Sequence, residues 1–282
     1  MSFYRDFNEN TAVEAWNTAP RKPYETIEVT RISPTIRAGV EGIDLSEGVS
    51  DVHFAEIERA LDENLVLAFR NQGNLTIEAL KDFGRRFGKL HAHVLASERK
   101  IAGGDTDPDD VSCDPHPIFA SLLHVTKLPE SGGGDTAFIN LHLAYDALSP
   151  SLRAFLDGLT ADGALAWTAG YGAKPQPGQT FPATEHPVVP RHPRTGRKFL
   201  YVNEGFTSHI VQSTRHESDA VLRLLFCHIE TSEALQTRVQ WQPHTLVLWD
   251  NWATQHHAVW DYYPFERPGE RVSAYLDYGL SA

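Results

Sequence analysis

Short runs of alternating apolar and polar residues lie toward both ends of the chain, and apolar residues at helical spacing lie between them. ETIEVTRI (25–32) alternates with period two and predicts a strand. LVLAF (65–69) is apolar throughout and of strand length, the pattern of a strand buried on both faces. KFLYV (198–202), RVQWQ (238–242), TLVLWD (245–250) and RVSAYLDY (271–278) predict further strands. Among the helical patterns, Ser50 caps a segment with Phe54, Ile57 and Leu61 on one face. Thr76 caps a second, with Leu80, Phe83 and Phe87 inward and Gly88 at its end. Ser149-Pro150 opens a third over 152–159, and 218–229 predicts a fourth. Residues 1–24 are polar with scattered aromatics and predict an irregular arm. Residues 166–196 are rich in Gly, Pro and Thr and read as a lid over a site. Strands at both ends with helices between do not follow alternating βαβ units. They predict one mainly β domain over 25–282, a sandwich or jelly roll with flanking helices.

Composition narrows the function classes. The chain has 282 residues, 41% hydrophobic and 22% charged, enough for a sizeable core. A formal net charge of −12 argues against nucleic-acid binding, which needs a basic face. It leaves room for a local basic pocket and a small anion. There is no apolar run of membrane-spanning length and no apolar leader at the N-terminus. Two cysteines, Cys113 and Cys227, fit a reduced cytoplasmic protein rather than a disulfide framework. A homo-oligomer is compatible with all of this. No glycine-rich phosphate loop is present, which argues against a nucleotide enzyme.

Three stretches carry chemistry. WDNWATQHHAVWDYYPFERPGER (249–271) places two histidines and then Arg267 and Arg271 beyond one strand. Imidazole suits iron, zinc or copper, and guanidinium suits a carboxylate or sulfonate. The stretch reads as a metal site beside an anion site, or as a surface histidine with solvated arginines. LPESGGGDTAFINLHLAYDAL (128–148) allows a tight glycine turn. Thr136 then either offers a hydroxyl to an anion or sits in a plain hairpin strand. TDPDDVSCDPHPIFASLLH (106–124) gathers carboxylates and histidines. It lacks the glycine and glutamate of a calcium loop.

Taken together, GVEGIDLSE (39–47), LVLAFRNQ (65–72), FGRRFGKLHAH (83–93), GGDTAF (133–138), LSPSLRAFLDGL (148–159), LYVNEGFT (200–207) and WDNWATQHHAVWDYYP (249–264) resemble the taurine dioxygenase family. The likeness runs from about Thr26 to Tyr278. It implies a double-stranded β-helix and an Fe(II)- and 2-oxoglutarate-dependent dioxygenase using O2. It also implies a small anionic organic substrate: a sulfonate, sulfate or carboxylate. By the same resemblance Asp110 and His256 are iron ligands, and Thr136 and Arg267 bind 2-oxoglutarate. Arg271 holds the cosubstrate or a substrate anion. His93 and Phe206 contact substrate.

One position departs from that pattern. The family takes two iron ligands from a His-x-Asp motif, whose i, i+2 spacing on a strand aims both at one ion. Aligned on Asp110, the histidine position holds Pro108, which cannot ligate. His91, His93, His116 and His124 are the nearby substitutes. Two readings follow: an active oxygenase with a substitute ligand, or an iron-deficient, non-catalytic homologue. A jelly-roll zinc hydrolase would need further clustered histidines.

Overall fold

The computed structural model describes residues 5–91, 116–163, 184–276 and 280. Asp110, Pro108 and His93 lie outside the described residues, as does 166–183 of the expected lid.

The larger sheet has six strands: β1 (Glu28–Arg31), β2 (Ala38–Glu41), β3 (Val66–Phe69), β10 (Thr245–Asp250), β4 (Ala120–Val125) and β12 (Gly269–Ala274), in that order. β2 and β3 are parallel, and the other pairs are antiparallel. A second sheet runs β11 (Thr254–Ala258), β5 (Thr136–Asn140), β9 (Gln236–Val239). A small third sheet holds β7 (Glu185–Pro187), β6 (Thr160–Asp162) and β8 (His209–Ile210). The first two sheets meet across aromatic rings: Trp249 on β10 lies 5.6 Å from Phe138 on β5, edge to face.

Most predicted helices form where their caps stand. α2 (Asp51–Asn64) starts where Ser50 Oγ accepts from His53 N, and it buries Phe54, Ile57 and Leu61. α3 (Ile77–Arg85) is capped by Thr76 Oγ1, which accepts from Ala79 N. Gly88 ends the following turn at φ +146°, where an added Cβ would sit 2.0 Å from Tyr275 O. Phe83 and Phe87 form a ring cluster with Phe54, Phe69 and Phe119 between these helices and the larger sheet. α5 (Pro150–Leu156) starts at Ser149, and α6 (Arg215–Thr231) begins with a Thr214/Glu217 capping box. Between β5 and α5 runs α4 (Leu141–Asp146).

Two expectations are corrected, and the expected lid is described only at its end. The arm 1–24 contains α1 (Arg5–Thr18), which packs on α4. Among its described side chains Ala12 and Trp16, one turn apart, are buried, and Arg197 stacks 4.4 Å over the Trp16 ring. Two buried positions are too few to stand out as a periodic pattern. KFLYV forms no strand beyond a single bridge at Lys198. Phe199 and Leu200 are buried, but their amides bond Pro190 and Leu141 rather than a ladder. The described end of the expected lid, 184–196, is packed: it carries β7, and Val188, Val189 and His192 are buried.

Glu56 ties the N-terminal segment to α2. Its carboxylate accepts from Glu25 N at 2.7 Å, Thr26 N at 2.9 Å, Thr26 Oγ1 at 2.8 Å and Ile27 N at 3.2 Å. Burial raises its pKa, but these donors outweigh burial and hold it at about 2. Glu56→Ala is expected to lower stability at pH 7 by about 2–4 kcal/mol, read as a shift in the urea midpoint. The folded pKa is depressed, so this contribution is complete above the unfolded carboxylate pKa. It is lost as pH falls toward 2, and the gap between the two proteins closes in acid.

Candidate active site

Strand alternation sorts the larger sheet into two faces. Ser121 on β4 pairs with Ser273 on β12 and Trp249 on β10, and Leu123 pairs with Arg271. These residues look toward the second sheet. Ala120, Leu122 and His124 point the other way, with Leu246, Leu248 and Asp250.

On the inward face Ser121 is a hub. Its Oγ lies 2.9 Å from Ser273 Oγ and accepts from Asn251 Nδ2 at 2.7 Å and Arg271 Nη2 at 3.0 Å. The Arg271 guanidinium lies 4.9 Å from the Trp249 ring centroid. His256 arrives from the second sheet, where β11 sets it opposite Phe138 on β5. Its imidazole stacks on Phe138 at 5.5 Å and meets Trp249 at 4.9 Å, edge to face. A hydrogen-bonding ring is thus held between the sheets by two aromatic walls.

Thr136 opens β5 opposite Ala258, so it lies two residues from Phe138 on the same face. It is buried, and its Oγ1 accepts from Trp241 Nε1 at 3.1 Å. Arg267 stacks over that same Trp241 ring at 5.3 Å and lies 6.0 Å from Tyr262. The glycine turn seats this arrangement. Gly133 and Gly134 have φ of +83° and +72°, and Gly134 N donates to Asp261 Oδ1 at 2.7 Å. A Cβ on Gly134 would stand 3.1 Å from Arg267 Cδ, so the backbone passes close under the arginine. Thr136 is thus a strand residue whose hydroxyl is turned to the Trp241 indole.

Phe206 lines a separate pocket with Pro117, Ile118, Tyr201, Trp252 and Asn251. Asn251 joins that pocket to the Ser121–Arg271 network.

The substitute ligands fare differently. His124 projects to the face away from His256, beside His244 at 6.3 Å and opposite Glu270. Burial pushes its pKa down. His116 is exposed, and His91 Nδ1 is bonded to Tyr275 Oη. Among the described residues no group of three His, Cys, Asp or Glu could hold a metal. His256 is the described member of the expected ligand set. Arg271 shares the Trp249 ring with His256, while Arg267 and Thr136 sit at Trp241; guanidiniums suit a dicarboxylate such as 2-oxoglutarate. The iron set is not complete within the described residues.

Sequence reading missed a buried pair behind the site. His192 Nε2 lies 2.9 Å from Asp250 Oδ2, and both side chains are 1% exposed. Asp250 Oδ1 accepts from Trp252 N at 2.8 Å and Ala253 N at 3.0 Å. This carboxylate thus shapes the turn that carries Asn251 and leads into the His256 strand. His142 lies 6.0 Å from His192, and burial pushes its pKa down to about 3. Nothing in the spacing links position 192 to position 250.

Residues 28–273 match the family described as Taurine catabolism dioxygenase TauD, TfdA family. The chain belongs to this family. It is 32% identical over 277 residues to an alpha-ketoglutarate-dependent sulfonate dioxygenase of Saccharomyces cerevisiae, covering 88% of this chain and 66% of that protein. It is 30% identical to an alkylsulfatase of Acinetobacter baylyi, covering 90% of this chain and 86% of that one. A solved taurine dioxygenase from Burkholderia xenovorans superposes with a TM-score of 0.75 at 33% identity, covering 90% and 92% of the two chains. The double-stranded β-helix expected from the sequence is borne out, as is a 2-oxoglutarate-dependent dioxygenase of the taurine dioxygenase type. No helix among the described residues is long and apolar enough to cross a membrane.

Proposed function

We propose that this chain uses Fe(II), 2-oxoglutarate and O2 to oxidise a small organic anion, releasing succinate and CO2. The observation that supports this is that Thr136 and Arg267 meet at Trp241 and His256 and Arg271 meet at Trp249, with Thr136 on the same face of β5 as Phe138, which contacts His256 and Trp249. Arg267 pairs with the far carboxylate of 2-oxoglutarate, and Thr136 hydrogen-bonds the same molecule. Arg271 holds the cosubstrate or the substrate's anionic head, a sulfonate, sulfate or carboxylate. His93 and Phe206 contact the substrate. His256 and Asp110 hold iron. Bound there, iron with 2-oxoglutarate supplies the oxidative decarboxylation and the oxidant for C–H cleavage. The protein's part is to orient both anions and keep water out. The names of the sulfonate dioxygenase and the alkylsulfatase support an anionic substrate.

Pro108 favours a second reading, an iron-deficient homologue that keeps the anion pocket. Loss of a direct ligand should weaken metal binding beyond the roughly 10–100-fold typical of changes behind the ligands. Anaerobic addition of Fe(II) and 2-oxoglutarate separates the two. A visible charge-transfer band, with succinate on admitting O2, is expected for the enzyme. Neither signal, with 2-oxoglutarate still bound, would establish the second reading.

A further inference from the structure

The larger sheet sends two half-buried arginines to the second sheet's β9. Arg37 stands just before β2 and Arg70 just after β3. Arg37 Nη1 donates to Arg238 O on β9. Arg70 Nη2 donates to Gln240 O at 3.0 Å, and its Nη1 donates to Thr245 Oγ1 at 2.8 Å. Carbonyls two residues apart lie at most about 7 Å from each other along a chain, so the two guanidiniums are neighbours. Burial pushes both of their pKa values down, and the charge of Arg70 pushes Arg37 down further, partly offset by Asp135. The Asp135 carboxylate is itself paired with Arg238, Nε to Oδ2 at 3.2 Å. Among the described residues, neither Arg37 nor Arg70 has a carboxylate at ion-pair distance. Three arginines thus gather around one carboxylate, on a chain whose formal net charge is −12.

Capping of β9 carbonyls does not account for this charge. A neutral amide would donate to them without the mutual repulsion. A guanidinium has five N–H donors. Arg37 engages one and Arg70 two, and Arg37 Nε is buried without a partner. The backbone at Arg37 also disfavours a side chain. Its φ is +83°, held where Arg37 N donates to Asn64 O at 2.9 Å and Arg37 O accepts from Ile32 N at 3.1 Å. Glycine adopts that conformation freely, so whatever favours arginine there lies in its guanidinium.

We propose that Arg37 and Arg70, with Arg238 at the rim, bind a small tetrahedral oxyanion of the sulfate or phosphate class. The oxygens of such an anion point in four directions, so one anion accepts from both guanidiniums and relieves their repulsion. Thermal unfolding of the purified protein tests this. Inorganic sulfate or phosphate is added at millimolar concentration, with sodium chloride holding the ionic strength constant. Either oxyanion is expected to raise the Tm along a saturating curve, and chloride alone is not. General stabilisation by excluded sulfate does not saturate and is common to every variant. Arg37→Gly removes the guanidinium and suits the backbone, so the variant should fold, with apparent sulfate affinity weakened about ten-fold or more. If it does not fold, Arg37→Gln keeps a polar side chain without the charge and should show the same loss. Arg267→Met should keep the saturating shift, which separates this site from the one that Arg267 serves. A shift that survives loss of the Arg37 charge, a shift abolished by Arg267→Met, or no saturating shift in the wild type would each overturn the proposal. No readout here needs turnover, so the outcome is independent of the oxygenase reading.

Discussion

Arg267→Met is expected to raise the 2-oxoglutarate concentration for half-saturation by two orders of magnitude or more. The methionine keeps an apolar stem against Trp241 and removes only the fork that would meet a carboxylate. Removing one partner of a shielded, hydrogen-bonded charge pair costs about 2–5 kcal/mol, and each 1.4 kcal/mol is about ten-fold in affinity. Arg267→Lys should recover little, because an ammonium cannot reproduce a two-point contact. Thr136→Val should cost less, about 1–3 kcal/mol, since it removes one neutral hydrogen-bond partner. Quenching of Trp241 and Trp249 fluorescence by 2-oxoglutarate measures this without requiring turnover. A change under three-fold for Arg267→Met would remove Arg267 from the cosubstrate site.

Asp250→Ala is expected to destabilise the protein by about 3–5 kcal/mol, because it takes the acceptor from several buried donors, each costing about 1–3 kcal/mol when left unmet. The variant leaves His192 without its carboxylate and strips Trp252 N and Ala253 N of their acceptor. His192→Ala should cost less, because Asp250 keeps both backbone donors. Urea unfolding at pH 7 ranks the two, and a loss under 1 kcal/mol for Asp250→Ala would contradict the assignment. The pH dependence has a definite sign. Burial raises the Asp250 pKa, but His192 and the backbone donors outweigh it, so the folded pKa lies below the ordinary value. Its contribution is therefore complete above the unfolded carboxylate pKa and fades as pH falls through the folded one. His142 adds a separate acid limb. Burial holds it neutral down to about pH 3, so stability falls once the unfolded imidazole begins to protonate, near its ordinary value. That limb appears in wild type and variant alike, so the two must be compared at equal pH.

The sequence alone determined the local parts. Ser50, Thr76 and Ser149 announced helix starts because a cap is a contact between residues three apart. LVLAF announced a buried strand because burial on both faces makes it wholly apolar. Thr136, His256, Arg267 and Arg271 were singled out through the family resemblance of two short segments, since their spacing alone left plainer readings open. Tertiary structure decided the rest. Folding turned the N-terminal arm into a helix through contacts of Ala12 and Trp16 with distant parts of the chain. The KFLYV segment found its backbone partners at Leu141 and Pro190 rather than in a ladder. The face chosen by β4 sent Ser121 toward Arg271 and His124 away from it. The His192–Asp250 pair joins positions 58 residues apart, which share no local pattern. Local hydrogen bonds and periodicity are written in neighbouring residues. Long-range pairing depends on how the sheets stack, and only the folded chain specifies that.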